Sequence, residues 1–140
     1  MDFYTTSQLA SKAKVNIQTI YYYEKCDLIP AAQRSRNGHR RFLPETLLHI
    51  LFVRGAQLLG FSLKEIIELK RCFFGKYWNC TKGIRKIRRK ILEMSEMNRM
   101  LVKHIQGLKN ALAPCSKQCQ HNHQKCHLLK TFIRFSRQSN

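Results

Sequence analysis

The sequence predicts a mainly α-helical chain: a winged helix-turn-helix unit, then a long dimerisation helix, then a short loop with a terminal helix. Three observations predict it. Two short helical segments and a basic hairpin fill the first 42 residues. From Cys80 to Ala113 there is no proline, and apolar residues recur at alternating steps of three and four. The segment CSKQCQHNHQKCH, Cys115 to His127, then holds six Cys and His among thirteen residues and no acid. The corresponding divisions are residues 1–75, 80–113 and 114–140.

In the first unit, Thr6 or Ser7 is placed to cap a helix through about Lys12, and Asn16 to cap a second through about Glu24. Ala13-Lys14-Val15 forms the tight connection between them. Leu9, Ala10, Val15, Ile17 and Ile20 supply the apolar faces, which leaves Gln18, Thr19, Tyr21 and Tyr22 to enter a major groove. Arg34 to Phe42 follows, with Asn37-Gly38 at its middle, a pair that tolerates the positive φ angles of a hairpin turn. Arg34, Arg36, Arg40 and Arg41 surround that turn and suit phosphates beside the groove. A helix from Pro44 to about Leu59 is expected to bury Leu47, Leu48, Leu51, Phe52, Ala56 and Leu59. Ser62 to Glu65 reads as a capping box that opens a helix through about Phe73.

The long helix carries its stripe on Ile84, Ile87, Ile91, Met94, Leu101, Ile105, Leu108 and Leu112, with Asn98 at the remaining seam position. A lone helix cannot bury such a stripe, so a homodimer is expected. Pro114 ends the helix. Leu128, Leu129, Phe132, Ile133 and Phe135 give the terminal helix its apolar face.

Composition narrows the function. Lys and Arg number 26 against 8 Asp and Glu, which makes a polyanion the first partner to consider. No stretch approaches the roughly 20 apolar residues that a membrane span needs. The N-terminus lacks the basic-then-apolar order of a signal peptide, so a cytoplasmic chain is expected, and structural disulfides are not. No nucleophile–base pair, carboxylate dyad or phosphate-cradling glycine loop stands out, so an enzyme is not expected.

The ordered motifs resemble the MerR family of bacterial transcription regulators. They are Tyr4 to Ala10, Val15 to Glu24, Leu28-Ile-Pro30, Asn37-Gly-His-Arg-Arg-Phe42 and Ala56 to Ile66. The resemblance implies a double-stranded promoter DNA partner and an antiparallel coiled-coil homodimer. DNA contacts then fall on Gln18, Thr19, Tyr21, Tyr22 and Tyr23 of the second helix and on Arg34, Arg36, His39, Arg40 and Arg41 of the hairpin. It implies activation through promoter geometry: the effector-bound dimer distorts an over-long spacer, and RNA polymerase is reached only indirectly. Two residues depart from the pattern. Tyr21 stands where the family usually has Arg, and His39 where it commonly has Tyr.

Within the family, Cys80 at the start of the dimer helix and the loop cysteines Cys115 and Cys126 resemble the sensors of soft divalent ions: zinc, cadmium, lead or mercury. Such a sensor serves heavy-metal resistance. Thiolates suit these ions, and Cys119, His121 and His123 offer further ligands. Two alternatives stand beside this reading. One is a thiol or iron–sulfur redox sensor, for which the loop supplies three of four thiolates. The other is a regulator whose zinc is purely structural.

Overall fold

The structure, a computed structural model, describes residues 3–76, 79–113 and 126–138. Six helices and one two-stranded sheet occur among them, in the order α1 (Thr6–Ala13), α2 (Ile17–Lys25), β1 (Gln33–Arg34), β2 (Arg40–Arg41), α3 (Thr46–Leu58), α4 (Leu63–Phe73), α5 (Cys80–Leu112) and α6 (His127–Gln138). They fall into two compact units, residues 1–88 and 89–140, which are described separately.

Local caps set the helix boundaries in the first unit. Thr5, one residue before the expected cap, accepts from the Gln8 amide, and the Gln8 side chain returns the bond to Thr5 N–H. Three capping residues in a row, Thr5-Thr6-Ser7, made the choice locally degenerate. Asn16 caps α2 through Thr19, and Ser62 with Glu65 forms the expected box on α4. Lys14 ends α1 in the left-handed conformation at φ 53° and turns the chain into α2.

The core gathers Leu9, Ala10, Ala13, Ile20, Tyr23, Leu28, Ile29, Phe42, Ile50, Val53, Ala56 and Ile66. Two basic side chains fasten its corners. Arg54 donates to the Ala13 carbonyl (2.6 Å) and Lys70 to the Asp27 carbonyl (2.6 Å), so α3 and α4 satisfy the ends of the first two helices. Tyr4 and Phe42 exchange backbone hydrogen bonds of 2.8 and 2.9 Å, tying the N-terminus to the hairpin.

The hairpin differs from a two-residue turn. Gln33 pairs with Arg41 and Arg34 with Arg40, and the Gly38 amide donates to the Ser35 carbonyl. Gly38 takes φ 77°, and it is Gly38, not Asn37, that is left-handed. This is a longer loop with its left-handed residue at the end of the turn.

Helix α3 corrects the sequence reading. It buries Thr46, Ile50, Val53 and Ala56, whereas Leu48, Leu51 and Leu59 are exposed. Nearly every position from Leu47 to Val53 is apolar, so periodicity could not choose the face; the partners of Ile50 and Val53 in the core did. Pro44 lies in the tight turn that leads into the helix.

After α4, aromatic rings fill the junction. Phe74 lies 4.2 Å from the His49 ring and 5.2 Å from Phe52, and Phe73 meets Phe52 edge-on at 6.1 Å. His49 Nδ1 is buried with no partner among the described residues, and burial followed by Lys70 lowers its pKa, which favours the neutral ring. Tyr77 and Trp78 lie outside the described residues. Asn79 caps α5 by accepting from the Lys82 amide (2.9 Å), and Lys86 pairs with Glu68 of α4.

Gly83 is buried in this junction, and a Cβ there would lie 2.6 Å from Phe73 Cζ. Gly83→Ala should therefore lower stability, because a clash of about 1–3 kcal/mol outweighs the roughly 1 kcal/mol that alanine adds to a helix. Urea denaturation checks this; a midpoint above that of the native chain would mean the ring moves aside freely.

In the second unit, α5 continues to Leu112, and α6 begins after Cys126. No helix among the described residues is long and apolar enough to cross a membrane.

Candidate nucleic-acid interface and metal centre

Helix α2 presents Gln18, Tyr21 and Tyr22 to solvent, with the two tyrosines 36% and 48% exposed. Thr19 is half-buried, and its hydroxyl donates to the Asn16 side chain at 2.8 Å, so its first task is holding the helix start. Tyr23 corrects the sequence reading. It is buried in the core, and its hydroxyl donates to Gln57 Oε1 at 2.8 Å, so it braces α2 from behind rather than facing a groove. A run of three tyrosines on one helix must split between faces, and the 100° step puts Tyr23 inward with Ile20.

On the hairpin, Arg34, Arg36, His39 and Arg41 are exposed, while Arg40 is half-buried. Arg34 donates to the Gly38 carbonyl (2.9 Å), which shapes the loop. Arg40 reaches back to α2. Its Nε donates to Glu24 Oε2 at 2.8 Å, and its guanidinium lies 4.8 Å from the centre of the Tyr21 ring. Glu24 also accepts from the Ala32 amide at 2.9 Å. The position at which the family resemblance leads one to expect an arginine is thus a tyrosine with a guanidinium stacked over it.

Burial pulls the Glu24 pKa upward, but the Ala32 amide, Arg40 and Arg34 outweigh it, and the carboxyl sits below its ordinary value of 4.5. Between hairpin and helices lies a cleft of about 450 Å³ lined by Thr5, Thr6, Ser7, Ile17, Tyr21, Arg34, Gly38, His39, Arg40 and Arg41. Cations, hydroxyls and the amino-terminal end of α1 converge there, which suits a phosphate backbone. Thr6 and Ser7 were missed as candidates, as was the Glu24 clamp. Hydroxyl residues at a helix start signal the first, while the second depends on a contact between distant residues.

Of the expected metal ligands, Cys115, Cys119, His121 and His123 lie outside the described residues. Cys80 and Cys126 are described, and both are free thiols. Cys80 is exposed at the first position of α5. Cys126 is half-buried just before α6, and its Sγ accepts from the Leu129 amide at 3.5 Å. Among the described residues no three metal-ligand side chains come together. Cys72 is buried and donates to the Glu68 carbonyl, a packing role.

The residues expected at a dimer seam, Ile84, Ile87, Ile91, Met94, Leu101, Ile105, Leu108 and Leu112, are all 37–60% exposed in the single chain. Asn98 is exposed beside them.

A family profile described as MerR family regulatory protein matches residues 5–42. The chain is 34% identical over 102 residues to the mercuric resistance operon regulatory protein of Bacillus cereus, covering 68% of this chain and 77% of that one. It is 33% identical over 106 residues to the HTH-type transcriptional regulator ZntR of Escherichia coli, covering 70% and 75%. The fold is also that of the lead(II)-bound transcription regulator PbrR691 from Ralstonia metallidurans, with a TM-score of 0.74 at 21% identity over 91% of this chain and 97% of that one.

Removing the clamp tests the interface. Glu24→Ala should cost about 1–2 kcal/mol of folding stability, allowing for partial exposure, and should weaken DNA binding because the hairpin loses its fixed angle to α2. The depressed pKa sets the sign with pH: the contribution is complete above about 4.5 and disappears as pH falls through the lower folded-state value. Urea titrations at pH 7 and pH 3 check both; an equal loss at the two pH values would contradict the charge-based account.

Proposed function

The chain belongs to the MerR family and is a DNA-binding transcription regulator, and from that premise we propose that it is a homodimeric sensor of a soft divalent metal ion. The observation that carries the proposal is the pair of free thiols, Cys80 and Cys126, each at the start of a helix. With Cys115, Cys119, His121 and His123 they form a donor set of sulfur and imidazole, chemistry that suits zinc, cadmium, lead or mercury. Its relatives include mercuric resistance operon regulatory proteins and the transcriptional regulator ZntR, and a structural neighbour is a regulator in complex with lead(II).

Dimerisation follows from α5. Eight apolar seam residues stand exposed along a helix of 33 residues, about 50 Å long, and a second α5 covers them at the lowest cost in ordered chain. An antiparallel pairing brings Cys80 of one protomer to the loop of the other, so each metal centre is shared. The α2 surface and the basic hairpin of each protomer then hold one half of a two-fold promoter site. Metal binding favours one dimer geometry over another, and the bound DNA changes shape with it. Polymerase responds to that shape.

Mixed dimers test the shared centre. One protomer carries Cys80→Ser and the other carries Cys115→Ser with Cys126→Ser. Either variant alone should bind no ion tightly as a homodimer, whereas the mixed dimer should recover one ion, because one centre keeps all its thiols. Metal content after competition with a chelator reads the result. No recovery in the mixed dimer would place the ligands within one protomer and overturn the shared centre.

A further inference from the structure

Helix α2 carries little charge where it faces solvent. Its exposed positions are Ile17, Gln18, Tyr21, Tyr22 and Lys25, so the one cation among them is the last residue of the helix. In a chain with 26 Lys and Arg, such a face is unusual for an element set against a polyanion. The cations gather beside it instead, on the hairpin. Ile17 and Tyr21 are 39% and 36% exposed, and both line the cleft between α2 and the hairpin. Four residues apart, they stand one above the other on the helix. Arg40 braces the tyrosine: its guanidinium lies 4.8 Å from the ring centre, and Glu24 holds Arg40 in turn at 2.8 Å.

We propose, on the reading of α2 as the helix that enters the groove, that Ile17 and Tyr21 form an apolar step that reads the 5-methyl group of a thymine in each half-site. In the major groove that methyl is the one apolar mark a base pair presents, and apolar side chains answer it. It lies at the outer edge of the groove, beside the phosphates of its own strand. A side chain that borders a phosphate-binding cleft therefore meets the methyl before it meets the polar base edges nearer the centre. The cleft combines both requirements. Thr6, Ser7 and Arg41 suit the phosphates, and Ile17 and Tyr21 form its apolar part.

The alternatives fit this step less well. Ile17 has no donor or acceptor with which to read a polar edge. Arg40 is engaged by Glu24 and by the Tyr21 ring, which draws it away from the two-pronged contact that a free arginine makes with guanine. The bracing also matters for selectivity, because a ring already fixed loses little freedom when the methyl docks on it.

Deoxyuridine pairs with adenine as thymidine does and lacks only the methyl, so it isolates the contact. The full chain selects duplexes from a pool of random sequence. Each thymine of the selected duplex is then replaced by deoxyuridine, and binding is followed by fluorescence anisotropy. One thymine in each half-site should lose about fourfold in affinity, the worth of one buried methyl, while the other thymines are indifferent. Ile17→Ala and Tyr21→Ala should bind the thymine and uracil duplexes equally, whereas Tyr21→Phe, which keeps the ring, should still discriminate. Arg41→Ala should weaken both duplexes alike and keep the native ratio, as a phosphate contact does. A purely structural role for Ile17 or Tyr21 would likewise lower both affinities and leave their ratio unchanged. Tight binding with no methyl dependence, or a native ratio in both alanine variants, would overturn the proposal and leave the DNA-binding reading standing. A chain that enriches no duplex would overturn both.

Discussion

The Glu24 carboxylate is the point on which the candidate DNA-binding surface depends. It accepts from Arg40 on the hairpin and from the Ala32 amide in the connecting segment, and it belongs to the same helix that presents Tyr21 and Tyr22. Three pieces of chain, α2, the connecting segment and the hairpin, are thereby joined through one side chain. In a protein with 26 basic residues and 8 acidic ones, an acid is scarce, and this one is used to aim positive charge rather than to cancel it. Arg40 in turn lies over Tyr21, so the helix gains a guanidinium where its own sequence lacks one. Arg54 and Lys70 act likewise behind the surface, each using its charge on a carbonyl at a helix end.

Elements that declare themselves locally were legible in the sequence. The Ser62–Glu65 box, the Asn16 cap and the limits of α5 follow from short-range rules: a side chain that bonds an amide three residues on, or a heptad stripe without proline. The face of α3 was not legible, because leucine, isoleucine and phenylalanine surround that helix and only the residues it meets select one side. Tyr23 was assigned to the DNA surface with its neighbours for a similar reason. It is buried in the core, and its hydroxyl bonds Gln57, 34 residues away. The hairpin was legible as a hairpin, but its loop type follows from Ser35 and His39, not from Asn37-Gly38 alone.

For the metal centre, residue type spoke more clearly than geometry. Four of the six candidate ligands fall outside the described residues, and the two that are described sit at helix starts. Cys80 and Cys126 fit the donor chemistry without completing a site among the described residues. The residues expected at a dimer seam and Cys80 stand exposed in the single chain, where the proposed homodimer would cover the former and use the latter.

In the proposed function a soft divalent ion alters transcription by way of this protein's grip on its promoter. An in vitro transcription series on the protein's own promoter decides it. Zinc, cadmium, lead, mercury and copper(I) are titrated against the native chain and against the Cys115→Ser, Cys126→Ser variant. A divalent ion should activate the native chain and not the variant, with promoter binding retained in both. Unchanged transcription with every ion, although metal is bound, would contradict it and assign the cysteines to structure or redox chemistry.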